Sequence, residues 1–456
     1  MLSHVSTGPR TRADVIPLRE ATKAWFLVSL QTFGGPAGQI AVMQHELVDK
    51  RRWIGQQRFL PALNFGMLLP GPEAQQLATY TGWLLNGRRG GLIAGGLFVL
   101  PGVVAMLALS SVYVAAGDTT VVTGIFAGLA PAVVAIVLQA VHRVGSRALR
   151  GPALVVLAAV SFVAIAFLAV PFPLVILLAG VAGWLLGRAG LVPEARAHDE
   201  ATAGPAPLIS DDALHQEPRS PARTARLVVV GVVLWLFPVG VAALVLGGDS
   251  VLVDQGTFFA GTAVITFGGA YAVLAYVANQ AVNAFGWLAP GEMVRGLALA
   301  ETTPGPLIMV VQFVAFVGAY RDPGSLDPWV AGVLASALVV WVTFVPSFLF
   351  VLVGAPYVER LRHNRSLSAA LTGITASVVG VIASLALFFA VHTLFDETRD
   401  VDRGPLHLLA PVWSSVDWWA VVLTALAVVL VFVRGWSPLR TLGLLAVLGL
   451  AVQLVS

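Results

Sequence analysis

Two stretches of the sequence place residues that stop a helix beside polar side chains able to hold an anion. Pro70-Gly71-Pro72 is followed at once by Glu73, and Pro304-Gly305-Pro306 is preceded by Glu301-Thr302-Thr303. Proline and glycine leave the neighbouring backbone N–H groups without helical partners. A helix that begins after Pro72 directs these N–H groups, and the positive end of its dipole, toward the break. This chemistry suits a tetrahedral dianion.

A third break, Gly34-Gly35-Pro36, has the same character, and polar side chains cluster around all of the breaks. Gln and Thr donate hydrogen bonds to an oxyanion without needing a permanent charge. The alternative is structural, because Gly and Pro are common in membrane helices and polar side chains often only tie helices together. The candidate substrate-binding residues are Gly34, Gly35, Asn64, Gly71, Glu73, Gln75, Gln76, Gly268, Gly269, Glu301, Thr302, Thr303 and Gly305.

The two glutamates in this set, Glu73 and Glu301, repel a dianion when they are ionised. One hypothesis is that a buried glutamate couples proton movement to anion release, as carboxylates within membranes often do. The other is that each carboxylate caps the N-terminus of its own half-helix, which is a structural role. The sequence leaves both open.

The sequence offers little for catalysis or cofactor binding. It has no cysteine, which excludes disulfides, thiolate metal sites and thiol nucleophiles. Its eight histidines fall in tails, loops or segment ends, which disfavours the rival interpretation of a membrane-embedded enzyme. No Walker-type phosphate-binding motif indicates a built-in ATPase. We expect no enzyme, no cofactor and no nucleic-acid partner.

Membrane helices must position these residues. Of the 456 residues 57% are hydrophobic and only 11% are charged, with a mean hydropathy of +0.85, whereas a soluble domain has roughly 25% charged residues. Many apolar stretches reach the roughly 20 residues that cross a bilayer. The stretches are near residues 24–45, 59–85, 90–116, 120–142, 152–169, 171–187, 227–246, 257–279, 296–319, 329–354, 367–391, 417–433 and 438–455.

The motifs repeat within the chain. Thr32-Phe33-Gly34-Gly35 returns as Thr266-Phe267-Gly268-Gly269, and Pro70-Gly71-Pro72 returns as Pro304-Gly305-Pro306, both at an offset of 234. Farther along the offset becomes 245, which places about eleven extra residues near 321–329. We predict two repeats, residues 1–190 and 257–456, joined by a flexible, solvated linker (191–224) and one extra crossing helix (225–256).

The basic residues predict the topology. If residues 24–45 and 59–85 are re-entrant hairpins that return to the cytoplasm, all but four of the 27 Lys and Arg residues lie inside, as the positive-inside rule favours. A model in which both stretches cross puts more of them outside. In either model the extra crossing inverts the second repeat. The predicted fold is an all-α polytopic membrane protein built from two inverted-topology repeats with broken or re-entrant helices, which is typical of secondary transporters.

Both halves resemble the chromate ion transporter family. The resemblance rests on residues 33–40, 51–54 and 69–77 in the first half and on residues 267–271, 291–293 and 301–307 in the second. One departure is Arg295, where many relatives are expected to have an acidic residue.

The resemblance implies a long-chain, two-domain member that exports chromate across the bacterial inner membrane and confers chromate resistance. A sulfate or other inorganic anion exchanger is the alternative. The implied partners are chromate or sulfate, the lipid bilayer and a second copy of the chain in a homodimer.

Overall fold

The computed structural model describes residues 16–191, 207–209, 214–217, 220–289, 291–358, 364–404 and 406–455. The helices are α1 (Leu18–Ser29), α2 (Gly35–Gln44), α3 (Gln56–Leu68), α4 (Glu73–Ala116), α5 (Thr120–Ala148), α6 (Pro152–Ala166), α7 (Phe172–Arg188), α8 (Pro221–Leu246), α9 (Val251–Ile265), α10 (Ala270–Asn279), α11 (Glu292–Thr302), α12 (Val310–Arg321), α13 (Pro328–Gly354), α14 (Arg365–Leu394), α15 (Trp418–Val428) and α16 (Pro438–Val455).

Shorter elements complete the described chain. Single π-helical segments extend α2 (His45–Lys50), α10 (Gln280–Ala284) and α15 (Val429–Val433), and an antiparallel hairpin pairs β1 (Thr398–Arg403) with β2 (Leu406–Pro411). Six of the described helices are long and apolar enough to cross a membrane: α4, α5, α8, α13, α14 and α16. The prediction of an all-α polytopic membrane protein is confirmed.

The longest helix, α4, folds back on itself. Asn86 and Gly87 leave helical geometry, and Gly87 has a φ of +60°, which glycine adopts without strain. Across this bend Gly82 and Gly90 lie so close that neither position has room for a Cβ. Two antiparallel arms therefore make up α4, named here α4a (residues 73–85) and α4b (residues 88–116).

The first copy opens with two helical hairpins that start and end at one face. The first joins α1 to α2, and the second joins α3 to α4a. The 13 residues of α3 extend about 20 Å, short of the roughly 30 Å of a hydrocarbon core. Asn86, at the end of α4a, donates a hydrogen bond to the carbonyl of Ile16 before α1 (2.6 Å). These segments are re-entrant in form: each reaches inward, turns and returns.

The second copy repeats this pattern from the other side. Its hairpins join α9 to α10 and α11 to α12. Arg321, at the end of α12, donates hydrogen bonds of 2.6 and 2.8 Å to Glu292 at the start of α11. Tyr113, near the far end of α4b, donates to the same carboxylate (2.6 Å). The ends of these hairpins therefore lie opposite the ends of the first pair.

The connection between α12 and α13 accounts for part of the about eleven extra residues predicted in the second copy. Residues 322–327 connect α12 to α13, whereas the matching position of the first copy has only the tight bend at Asn86 and Gly87. Between the copies, α8 carries the chain once from one face to the other.

The two copies pack through reciprocal contacts. Gly128 on α5 meets Gly449 on α16, and Gly183 on α7 meets Gly373 on α14, with no room for a Cβ at any of the four. Gly128 and Gly373 are the same position of the repeat. The same position of each copy therefore contacts a helix of the other copy. Such reciprocal contacts are typical of a two-fold arrangement, here between the two halves of one chain.

Part of the predicted linker is packed rather than solvated, although Leu208 and Gln216 are exposed as predicted. Leu214 is buried, and the N–H of His215 donates to the carbonyl of Leu84 (2.7 Å). The His215 ring packs edge-on against Trp83, with ring centroids 4.9 Å apart. An apolar residue and an aromatic partner bind this part of the linker to the end of α4a. Residues 192–206, 210–213 and 218–219 of the predicted linker lie outside the described residues.

We name the face where this linker packs the linker face, and the other the opposite face. Leu208 also belongs to the linker face, because its N–H donates to the carbonyl of Arg52, just after the first hairpin (2.7 Å).

Candidate functional site

The breaks predicted from the sequence are the tips of the four hairpins. We name them tip 1 (residues 30–34), tip 2 (69–72), tip 3 (266–269) and tip 4 (303–306). Before tip 2, helix α3 ends with Leu69 in an extended conformation, and Pro72 is extended before α4a begins. Neither Pro-Gly-Pro stretch continues a helix, as the sequence predicts.

The tips of one copy bond to the tips of the other. The N–H of Gly71 in tip 2 donates to the carbonyl of Thr266 in tip 3 (2.7 Å). The N–H of Gly305 in tip 4 donates to the carbonyl of Thr32 in tip 1 (3.1 Å). Each bond is the other shifted by 234 residues on both sides. The four breaks therefore meet as two equivalent pairs, deep between the faces.

Two long helices pass close to these tips. Gly102 on α4b lies against Gly305, since a Cβ at Gly305 would be 3.3 Å from the Gly102 Cα. At the matching position of α13, the Ser347 hydroxyl fills the space where a Cβ of Gly71 would lie. Pro101 and Pro346 precede these residues at the offset of 245. The long helix of each copy thus supports a tip of the other.

Backbone donors are free at the start of α4a. None of the described residues accepts a hydrogen bond from the N–H of Glu73, Ala74 or Gln75. At the end of tip 1 and the start of α2, a Cβ on Gly34 or Gly35 would meet no atom within 4 Å, so this backbone borders open space. Unpaired amides of this kind are the anion-binding feature of a helix N-terminus.

The Glu73 carboxylate faces tip 3 rather than its own helix. A Cβ at Gly269 would have Glu73 Oε1 as its nearest neighbour, at 4.0 Å. The side chain is half-buried and makes no capping hydrogen bond. The structural hypothesis of a self-capping carboxylate therefore does not describe Glu73.

Glu301 has a partner that the sequence did not indicate. It is buried at the end of α11, where it accepts a hydrogen bond from the hydroxyl of Tyr271 on α10. A carboxylate at the C-terminal end of a helix cannot cap that helix's N-terminus, so the capping hypothesis is wrong here as well. Tyr271 belongs to the Phe-Gly-Gly-Ala-Tyr motif, which was the available signal.

Two arginines of α5 lie within electrostatic range of these groups. Arg143 is in range of Tyr271 and Glu301, and Arg147 is in range of Glu73. Sequence reasoning missed them, because it counted residues 143–150 only as a positive-inside signal. Neither forms an ion pair with any described residue.

The polar side chains predicted to bind the anion form hydrogen bonds within the protein. The amide of Gln75 donates to Thr79 Oγ1 (3.1 Å), and that of Gln76 donates to the carbonyl of Pro70 (2.6 Å). The hydroxyls of Thr302 and Thr303 donate to carbonyls of their own helix. Each of these side chains therefore has one hydrogen bond within the protein, and each Gln amide keeps a second N–H donor.

Asn64 departs from the prediction in another way, because it is exposed on α3 rather than buried at a tip. A missed residue, Gln39 on α2, is buried and donates to the carbonyl of Gly305 (2.6 Å). Gln39 thereby ties α2 of the first copy to tip 4 of the second.

Another acidic residue, Glu46 in the first hairpin, has a clear electrostatic setting at the linker face. Glu46 is buried, with Lys50 Nζ at 2.7 Å and Arg51 Nε at 3.5 Å. Burial alone would raise the pKa of the Glu46 carboxyl group, but the two cations hold this pKa below its usual value. The basic cluster around residues 50–58 is therefore in part an ion-pair network that fixes the hairpin end.

Comparison with known proteins gives consistent results. A family model described as chromate transporter matches residues 19–184 and 253–451. A chromate transport protein of Pseudomonas aeruginosa is 33% identical over 370 residues, 80% of this chain and 79% of that protein. Another from Cupriavidus metallidurans is 25% identical over 396 residues, 86% and 87% of the two chains.

A probable chromate transport protein of Synechococcus elongatus is 24% identical over 384 residues, 83% of this chain and 86% of its own. No solved structure matches the chain.

Proposed function

Because the chain belongs to the chromate transporter family, we propose that it exports chromate from the cytoplasm as a secondary transporter and thereby confers chromate resistance. It works in the inner membrane, with the linker face toward the cytoplasm. Its role is transport and not catalysis.

The reciprocal meeting of the four tips carries this proposal. It bonds tip 2, which precedes the free amides of α4a, to tip 3, and it bonds tip 1, whose backbone borders open space, to tip 4. Inverted repeats with broken helices hold their substrate where the repeats meet. Of the candidate residues, Gly34, Gly35, Gly71, Gly268, Gly269 and Gly305 act through backbone, while Glu73 and Glu301 act through carboxylates.

Positive charge near this region comes from α5. Val378 lies next to tip 3, 3.1 Å from a Cβ at Gly268, and its neighbour Val379 lies 3.4 Å from a Cβ at Gly145. The stretch of α5 that carries Arg143 and Arg147 is therefore close to tip 3. Two guanidinium groups balance the two charges of chromate better than backbone dipoles alone.

Export needs no ATP under this proposal. Moving two negative charges outward across an inside-negative membrane is favourable by about 4.6 kcal/mol per 100 mV, which is about three decades of concentration.

The proposal is tested with everted membrane vesicles, whose cytoplasmic face is outside. When a respiratory substrate makes the vesicle interior positive, we expect the vesicles to accumulate labelled chromate without ATP. We also expect cells that express the protein to tolerate more chromate. Sulfate is added as a competitor. Equal competition by sulfate would favour the anion-exchanger alternative, and greater chromate sensitivity of the cells would contradict export.

We further propose that Glu73 couples proton movement to anion release. The Glu73→Gln variant should lose the pH dependence of vesicle uptake, because its side chain no longer ionises. Glu20→Gln makes the same chemical change at an exposed position of α1 and serves as the control. A pH profile of Glu73→Gln identical to that of the unaltered protein would rule out this coupling.

The remaining organisation is proposed on the same basis. Residues 1–190 and 257–456 form the two transport repeats, 191–224 the cytoplasmic linker and 225–256 the extra crossing. The apolar outer surface of α8, where Leu244 and Val245 are exposed, faces lipid or the second copy of a homodimer.

A further inference from the structure

A cluster of charged and aromatic side chains lies at the opposite face, away from the four tips. At its centre the buried Glu292 carboxylate accepts hydrogen bonds from Arg321, from Tyr113 and from the N–H of Ala289 (2.7 Å). Its two oxygens thus accept four hydrogen bonds in all. This carboxylate is fully satisfied, and its charge is balanced by Arg321.

Arg295 adds a positive charge that this cluster does not neutralise. Its Nη1 donates to the Tyr113 hydroxyl oxygen (3.3 Å), and its guanidinium carbon lies 5.8 Å from the centre of the Phe126 ring. Among the residues that the structure describes, no acid forms an ion pair with it. Most of its five N–H donors are therefore available.

Arg295 lies on the same side of α11 as the residue that precedes tip 4. Along α11, from Glu292 to Thr302, every residue is buried except Arg295 and Thr302. These two are seven residues apart, which places them on the same side of a helix and about 10 Å apart along its axis. Ala298 and Leu299, which lie between them on this side, are buried. The Arg295 guanidinium thus marks the outer end of this side of α11, about two turns from tip 4.

We propose that Arg295 forms a second, outer binding subsite for the transported oxyanion, which the anion occupies between leaving the tips and entering the medium. This inference rests on the proposed function and adds a subsite to it. Tyr113 and Phe126 hold the guanidinium in place, while Arg321 keeps Glu292 from neutralising it. The chemical class bound is a tetrahedral dianion, through charge-assisted hydrogen bonds to the planar guanidinium.

The subsite is tested by transport measured against anion on the outward side. Everted vesicles are loaded with increasing concentrations of unlabelled chromate, and the initial uptake of labelled chromate is followed. Internal chromate should change the initial uptake of labelled chromate. We expect Arg295→Gln to need at least tenfold more internal chromate for the same change in uptake, because a charge-assisted hydrogen-bonding partner is lost. The half-saturating chromate concentration on the cytoplasmic side should change less than twofold. Arg295→Lys should lie between the two.

Arg399→Gln is the matched control, since it removes a positive charge from an exposed position of β1 at the same face. Arg399→Gln should leave unchanged both the dependence of uptake on internal chromate and the half-saturating chromate concentration on the cytoplasmic side. If the unaltered protein moves chromate but Arg295→Gln keeps the normal dependence on internal chromate, the subsite is refuted and the transport function stands. If Arg295→Gln instead lowers the melting temperature and raises the chromate concentrations needed on the two sides equally, Arg295 is structural. If the unaltered protein moves no oxyanion, the proposed function itself fails.

Discussion

At the scale of single residues, glycines at the tips decide whether the two copies meet. Gly71 has a φ of +125°, which side chains other than glycine rarely adopt. Its N–H bonds to Thr266 of the other copy, and the Ser347 hydroxyl occupies the space beside its Cα. Conformation and packing therefore require glycine at this position, and the backbone hydrogen bond excludes proline.

We predict that Gly71→Ala abolishes most transport and destabilises the protein, because backbone strain of about 1–3 kcal/mol adds to a clash with Ser347. Adding Ser347→Gly should recover part of the lost stability, since Gly102 is the residue at that position in the first copy. Thermal unfolding in detergent and vesicle uptake measure the two effects. The control is Gly96→Ala, where a Cβ meets no atom within 4 Å. Full activity of Gly71→Ala would contradict the role of tip 2.

At the scale of helices, close crossings at glycine residues determine how the two copies pack together. α5 and α16 approach at Gly128 and Gly449, and α7 and α14 approach at Gly183 and Gly373. Small residues allow backbones to pack closely where helix association gains nothing from leaving water. These crossings hold the outer helices of each copy against the other copy.

We predict that Gly449→Ala lowers the stability by about 1–3 kcal/mol, because its Cβ would overlap the backbone of Gly128. Gly443→Ala lies on the same helix, where a Cβ meets no atom within 4 Å, and should change the stability by less than about 0.5 kcal/mol. Unfolding of the purified protein in detergent compares them. Equal effects of the two substitutions would mean that this crossing is not tightly packed.

At the scale of the whole molecule, the central property is inversion of the two copies. The first pair of hairpins ends at the linker face and the second pair at the opposite face, so equivalent positions should meet different compartments. Asp49 and Asn283 are such a pair, 234 residues apart and both exposed.

We predict that single cysteines at these two positions react from opposite sides of the membrane. The chain has no cysteine of its own, so each variant carries one thiol. In intact spheroplasts an impermeant maleimide should label Asn283→Cys and spare Asp49→Cys, and in everted vesicles the preference should reverse. Labelling of both from one side would disprove the inverted arrangement.

The sequence by itself determined the membrane class, the duplication and the positions of the breaks. Hydropathy, the repeated motifs and the Gly and Pro residues are local features, and local features limit which backbone conformations are open to a chain in lipid. The Pro-Gly-Pro stretches and the insertion before α13 were predictable for this reason.

Only the tertiary structure decided which side chains surround the breaks. Tyr271 reaches Glu301, Gln39 reaches Gly305 across 266 residues, and Arg295 lies without an acidic partner among the described residues. These relations depend on how two copies interlock, so no spacing along the chain encodes them. For the same reason Gln75 and Gln76, polar and adjacent to a break, were expected at the anion and instead bond to neighbouring protein groups.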